Sequence, residues 1–492
     1  MKTEKKWYFV IVLAITFLIY DQNWGLNALV ISLLSITYLF IFNNNKKSSA
    51  WWLSSGLWIL SGLSIFLSNT YTGGIMYFFT LINFIAVNNN QKHSFPFTFS
   101  QTAFSFFIGI VKFVTPAKNE KPIIEVEVKE KIETKILKKV FLYGVPLLLV
   151  IVFLKLYQFA NPKFAEYTDF ISLDFINWYF ILFYVILLFT LYGLYVFNNF
   201  EPITNWDFNR KNKVNENYTD AFQVKIGTET EQKMAVMLLS VLNLLLVAFL
   251  IIDAITLFST DIDSELTHSE TVHQGINILI TSIVLVIFIV GFIYRGALNF
   301  SKNIFIKSLT VTWLLLNIVI TGFNSIKNYH YIDEWGLTHK RIGVYTYLAL
   351  CIIGLVFTLY KVINKKSFVF LVRRVSYSFI SFLVLFSLFN WNAIIANYNL
   401  DDTHFSENKI DFHYNMNLGF ETYPALIAYF KKYPNANQDI YEELDYKINN
   451  HMRSLKFDWK DVPSIKWSEY LTEKELASYT PLEVNNYEPI DR

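Results

Sequence analysis

Between Tyr329 and Arg341 the chain reads YHYIDEWGLTHKR, with two histidines, an Asp-Glu pair and two basic residues between long apolar stretches. Imidazole and carboxylate together suit proton transfer or metal ligation. Further histidines stand at His268, His273, His404, His413 and His451, with carboxylates beside them in DDTH (Asp401–His404) and DFH (Asp411–His413). His330, His413 and Asp411 are the candidate metal ligands. No spacing fixes a ligand set, because the H-x-x-x-x-H of His268 and His273 is not the i, i+4 pair of a helical zinc site. Solvated loop histidines are therefore the expectation, with no cofactor and no assigned catalytic residue. The chain also lacks a phosphate-binding glycine loop, H-E-x-x-H, G-x-S-x-G and a dinucleotide fingerprint.

A second class of candidate sits inside the apolar runs. An ionised side chain at a bilayer centre costs about 2.5–3.5 kcal/mol on insertion scales, so each one asks for a reason. Asp253, in FLIIDAITLF, is the clearest case and lies toward one end of its run. It is a candidate proton or cation site, weighed against a carboxylate that reaches water or caps a neighbouring helix. Asn243 and Asn317 are mid-run amides, expected to hydrogen-bond between helices. Pro146 breaks one run without a matching break elsewhere, which weakens a transporter reading.

Those residues are positioned by membrane spans. The chain of 492 residues is 53% hydrophobic and 17% charged, with a mean hydropathy of +0.34. Its apolar residues are blocked into runs that approach the length needed to cross a bilayer. The sequence predicts an all-α, polytopic membrane protein with about eleven transmembrane helices. The spans are Trp7–Tyr20, Ala28–Phe42, Trp51–Leu67, Ile75–Val87, Val140–Leu156, Ile176–Phe197, Ala235–Phe258, Ile276–Tyr294, Phe305–Phe323, Val344–Tyr360 and Val375–Ile395. The net charge of +2 gives no pull toward nucleic acid, and a single cysteine, Cys351, excludes an internal disulfide.

Lysine and arginine set the orientation. They concentrate in alternate connections, at Lys2–Lys6, Lys46–Lys47, Lys118–Lys139, Arg210–Lys233, Arg295–Lys302 and Lys361–Arg374. The connections between, such as Ser259–Gln274, are almost bare of positive charge. The N-terminus is expected in the cytoplasm and the C-terminus outside, in the bacterial inner membrane. Four regions follow: a four-span region 1–87, a cytoplasmic segment 88–139, a seven-span core 140–398 and an outer helical domain 399–492. Phe104–Val114 is read as an interfacial helix, since a further span would turn the basic connections outward. The tail is net acidic and shows helical periodicity at Ile440, Leu444, Ile448 and Met452.

Two stretches carry a family likeness. YIDEWGLTHKRIGVY (Tyr331–Tyr345) and NWNAIIANYNL (Asn390–Leu400), followed by Asp411–Leu426, resemble the domain-of-unknown-function 4173 family of bacterial integral membrane proteins. The likeness covers about 140–430, with MAVMLLSVLNLLLVAF (Met234–Phe249) as an earlier block, and leaves the first four spans outside. It implies a polytopic membrane protein and assigns no activity.

The expected function is a non-enzymatic envelope component, embedded in the lipid bilayer, whose outer domain binds or senses an envelope protein. The alternatives are an ion or proton pathway through Asp253 and an enzyme at the outer His/Asp/Glu cluster. In this frame YHYIDEWGLTHKR is the outer connection between the ninth and tenth spans and a dock for the tail. Gly336 allows a turn, Trp335 anchors at the interface and Thr338 caps the next helix. Asp333 and Glu334 offset local positive charge, and Arg341 is expected to pair with a tail acid such as Asp411.

Overall fold

Apolar runs without internal proline satisfy every backbone hydrogen bond within the segment, so they fold as helices. A computed structural model describes residues 2–42, 47–68, 70–90, 94–114, 157, 163–164, 178–195, 200–215, 224–225, 227–258, 269–301, 303–401, 410–434, 436–454, 459–477 and 479. The expected span Val140–Leu156, the linker Lys118–Lys139 and the residues His93, His268 and His404 lie outside them.

The long helices, in chain order, are α1 (Lys2–Ile19), α2 (Leu26–Phe42), α3 (Ser49–Ser68), α4 (Tyr71–Asn89), α5 (Phe95–Val114) and α6 (Trp178–Tyr195). Then come α7 (Glu201–Asn209), α8 (Thr228–Phe258), α9 (Ser269–Ile293), α10 (Ile304–Trp335), α11 (His339–Ile363) and α12 (Phe368–Phe386). The C-terminal helices are α13 (Trp391–Asn399), α14 (Phe412–Asn417), α15 (Tyr423–Lys432), α16 (Gln438–Ser454) and α17 (Trp467–Leu476). Among the described residues there is no strand, only a bridge between Lys213 and Lys366. Among the described residues six helices, namely α3, α4, α8, α10, α11 and α12, are long and apolar enough to cross a membrane. Shorter apolar helices lie at Trp7–Ile19, Leu26–Phe42, Phe95–Val111, Tyr179–Tyr192 and Ile278–Ile293.

The chain forms two compact units, one of residues 1–20 and 104–198 and the other of 21–103 and 199–492. In the first, α1 packs along α6, and the Tyr8 hydroxyl donates to the Leu188 carbonyl at 2.6 Å. In the second, α3 packs between α2 and α4 through buried serines. Ser61 and Thr80 share a hydrogen bond of 2.7 Å, a small-residue contact that lets helices approach closely. The helices α8 to α11 surround a core that includes Leu239, Ile283, Val290, Leu314 and Leu355.

Within the second unit the connections gather at two opposite ends. At one end, Arg373 binds Asp207, Asn212 and the Arg210 carbonyl, and Asp207 accepts from Ser94. At the other, the α1–α2 connection and the α10–α11 turn both touch the C-terminal helices. Helix α11 runs from one end to the other. The first end is the basic one, carrying Arg210, Lys211, Lys213, Lys365, Lys366 and Arg373.

Several boundaries differ from the sequence expectation, and three of them bear on the connections. Helix α10 does not stop at Phe323 but continues to Trp335, so YHYIDEW is helical. The expected span Val375–Ile395 breaks after Phe386, because the Asn390 side chain accepts from the Ala393 N–H and caps a new helix. Helix α5 starts at Phe95 rather than Phe104. The C-terminal helices have a core of their own, with Leu426, Phe430, Ile440, Leu444, Ile448 and Leu476 buried together.

Candidate functional site

The α10–α11 turn is three residues, Gly336, Leu337 and Thr338, between two long helices. A helix C-terminus leaves carbonyls without donors. Here Arg341 supplies them: its Nη1 donates to the Trp335 carbonyl at 2.7 Å and also to the Gly336 carbonyl. Its guanidinium lies 4.2 Å from the centre of the Tyr331 ring. Thr338 caps α11, accepting from the Arg341 N–H at 3.3 Å. Gly336 has φ +81°, and a Cβ there would meet Asn399 Oδ1 at 2.8 Å, so both backbone and space require glycine.

The C-terminal helices grip this turn through asparagines. Asn399 accepts from the Leu337 N–H at 2.6 Å and donates to the Leu337 carbonyl at 2.9 Å, as a neighbouring strand would. Asn399 also donates to Asn415 Oδ1 at 3.1 Å. His339 Nε2 meets Asn392 Oδ1 at 2.7 Å, and Asn392 donates to the Leu418 carbonyl. The His339 N–H donates to the Tyr414 hydroxyl at 3.2 Å. Burial pushes the Tyr414 hydroxyl pKa up, against the opposing pull of that N–H and of Arg341.

A second fastening lies on the α1–α2 connection. The Leu26 N–H donates to the Ile465 carbonyl at 2.9 Å, and Ser464 Oγ donates to Gln22 Oε1 at 2.7 Å. A Cβ on Gly25 would meet the Ser464 carbonyl oxygen at 2.4 Å, so this close backbone approach needs glycine.

The expected Arg341–Asp411 pair does not form. Arg341 is spent on the end of α10, and Asp411 caps α14, accepting from the Tyr414 N–H at 2.8 Å. Asp333, Glu334 and Trp335 are exposed on the last turn of α10. Among the described residues no three His, Cys, Asp or Glu side chains gather as a metal site. His330 stacks edge-on beside Tyr329, and His413 lies 3.8 Å from Glu443, so the two histidines and Asp411 do separate things.

Asp253 has a partner that sequence reasoning assigned elsewhere. Lys327, placed in a loop by sequence, lies in α10 and forms an ion pair with Asp253 of α8. Their side chains are 11% exposed for Asp253 and 35% for Lys327. The pair lines a cavity of about 610 Å³ that reaches Asn317 and Trp313. Asn243 bridges the same two helices, donating to the Leu239 and Leu309 carbonyls at 2.7 and 3.0 Å. Asn317 donates within its own helix to the Trp313 carbonyl at 2.8 Å.

Among the buried charges that sequence missed, three are held by distant segments. Asp207 is fully buried, accepting from Arg373 Nη2 at 2.8 Å and from Ser94 Oγ at 2.6 Å. Glu231 is buried against Arg295 at 2.7 Å. Lys361, read as part of a basic connection, is fully buried in the last turn of α11 and donates to the Tyr294 carbonyl at 3.0 Å. Only contact between distant segments identifies these partners.

The fold and site define an all-helical protein with several helices able to cross a membrane and a clamped C-terminal group of helices. The chain belongs to the family described as a domain of unknown function, DUF4153, whose model matches residues 8–429. This corrects the likeness to the 4173 group, and the match takes in the first four helices that the likeness left out. No curated protein and no solved structure matches the chain.

Proposed function

We propose that the protein is a non-enzymatic component of the bacterial inner membrane whose C-terminal helices form a fixed outer platform for an envelope protein. One observation carries this reading: the C-terminal helices are fastened at two separate connections, Gln22–Leu26 and Gly336–His339. A tether needs one attachment; two attachments fix orientation. The positive-inside rule supports the side, since the basic connections gather at the opposite end. Exposed Trp467, Tyr470 and Leu471 lie at i, i+3 and i+4 on one face of α17, the composition that interface cores favour.

The test is site-specific photo-cross-linking in cells from position 470, with position 213 at the other end as control. A discrete adduct from 470 that disappears in Asn399→Ala supports the platform. No adduct from 470, or the same adduct from 213, overturns it.

A second reading, an ion or proton pathway, is favoured by the cavity that reaches the Asp253–Lys327 pair. It predicts a proton leak in reconstituted vesicles that Asp253→Asn abolishes. Identical leak in wild type, variant and empty vesicles refutes it.

A further inference from the structure

The cavity at Asp253 is lined by α8, α9 and α10. Helix α8 packs along α10 and α9 packs mainly along α11, and among the described residues the space between α8 and α9 is open along the cavity. Its walls are apolar, including Leu242, Leu246, Phe249 and Leu279, and Leu245, Ile252 and Ile278 at its rim are largely exposed. From Leu242 to Asp253 the helix rise gives a length of about 16 Å. A groove that is apolar along its length and charged at one end matches an amphiphile.

The charged end stands where a bilayer changes from hydrocarbon to headgroup. Asp253 lies five residues before Phe258, the last residue of α8. Lys327 sits two turns before Trp335, the last residue of α10. The charges also have a specific arrangement. Asp253 Oδ1 is bound by Lys327, while Oδ2 is buried with no hydrogen-bond partner among the described residues, and Asn324 lines the same cavity. A buried carboxylate oxygen calls for a donor. The Lys327 ammonium has three donor hydrogens and room for a second acceptor.

We propose that this crevice binds a bilayer aminophospholipid, with its primary ammonium on Asp253, its phosphate on Lys327 and one acyl chain along α8. The two charges of a phosphoethanolamine headgroup complement the two protein charges in reverse order. A choline headgroup carries the same charges but no N–H to donate to Oδ2, and a glycerol headgroup has no cation for Asp253. The site is distinct from the C-terminal platform and stands or falls without it.

The test is native mass spectrometry of the full chain after reconstitution with equal amounts of phosphatidylethanolamine, phosphatidylcholine and phosphatidylglycerol. Phosphatidylethanolamine is expected to be retained preferentially. In Asp253→Asn its advantage over phosphatidylcholine falls about tenfold, the loss of one charge-assisted hydrogen bond. In Lys327→Gln retention of every phospholipid falls. Ser282→Trp fills the crevice from an exposed position without touching the ion pair, and it lowers retention in a protein that keeps its helical circular dichroism. It also keeps the test decisive where a charge variant fails to fold. Equal retention of the three lipids, a preference for phosphatidylglycerol, or unchanged retention in Ser282→Trp overturns the proposal.

Discussion

Asn399 holds Leu337 by both of its backbone hydrogen-bonding groups, at 2.6 and 2.9 Å. One side-chain amide thus stands in for a strand edge and joins the C-terminal helices to the α10–α11 turn. Asn399→Asp keeps the acceptor and loses the donor; Asn399→Ala loses both. Loss of a buried hydrogen bond that leaves its partner unsatisfied costs about 1–3 kcal/mol. Limited proteolysis of solubilised protein should therefore release the C-terminal helices fastest in Asn399→Ala and at an intermediate rate in Asn399→Asp. Wild-type rates in both would show that this contact does not fasten the turn.

Gly336→Ala should destabilise the same turn from the other side. A Cβ in this conformation meets Asn399 Oδ1 at 2.8 Å, and φ +81° with ψ 175° is a region essentially confined to glycine, costing another residue about 1–3 kcal/mol before that clash. Thermal unfolding should fall below wild type by more than in the control Gly322→Ala, where a Cβ meets nothing within 4 Å.

Arg341→Ala removes the donors from the end of α10 and the stacking on Tyr331. Hydrogen bonds to charged groups contribute about 1.5–3 kcal/mol, so a loss of that order in unfolding free energy is expected. Asp411→Asn keeps the cap of α14 and should be near neutral. A large, matched loss in Asp411→Asn would instead point to the ion pair that the sequence suggested.

The contrast between Arg341 and Asp411 shows what was legible. Charge and proximity to the tail made a salt bridge the natural expectation, but a short turn after a long helix needs carbonyl donors nearer at hand. The run Tyr329–Trp335 looked like a loop because it is polar. It is helical because nothing interrupts it before Gly336 and because Arg341 and Gly336 close it. The apolar runs were readable because hydrophobic length is a local property. The C-terminal core was readable at Ile440, Leu444 and Ile448 for the same reason of periodicity. Asp207 and Arg373 are 166 positions apart, and no local pattern joins them. Lys327 was misplaced because the end of its helix was misplaced.

Asp207→Ala should be among the most damaging single changes. It leaves Arg373 and Ser94 without their shared carboxylate in a buried site, and breaking such a pair costs about 3–5 kcal/mol. The double variant Asp207→Ala with Arg373→Met should recover part of the loss. The measurement is the midpoint of thermal unfolding; a double variant worse than the sum of the singles would contradict the pairing.

The side on which the C-terminal helices stand tests the account most directly. Cys351 is the chain's one cysteine and is buried, so Cys351→Ala gives a clean background. Asp439→Cys then places a thiol on exposed α16, and Lys213→Cys places one at the basic end. With a membrane-impermeant maleimide on intact, outer-membrane-permeabilised cells, the account predicts labelling at position 439 and none at 213 until the inner membrane is opened. Labelling at 213 but not at 439 in sealed cells would contradict it.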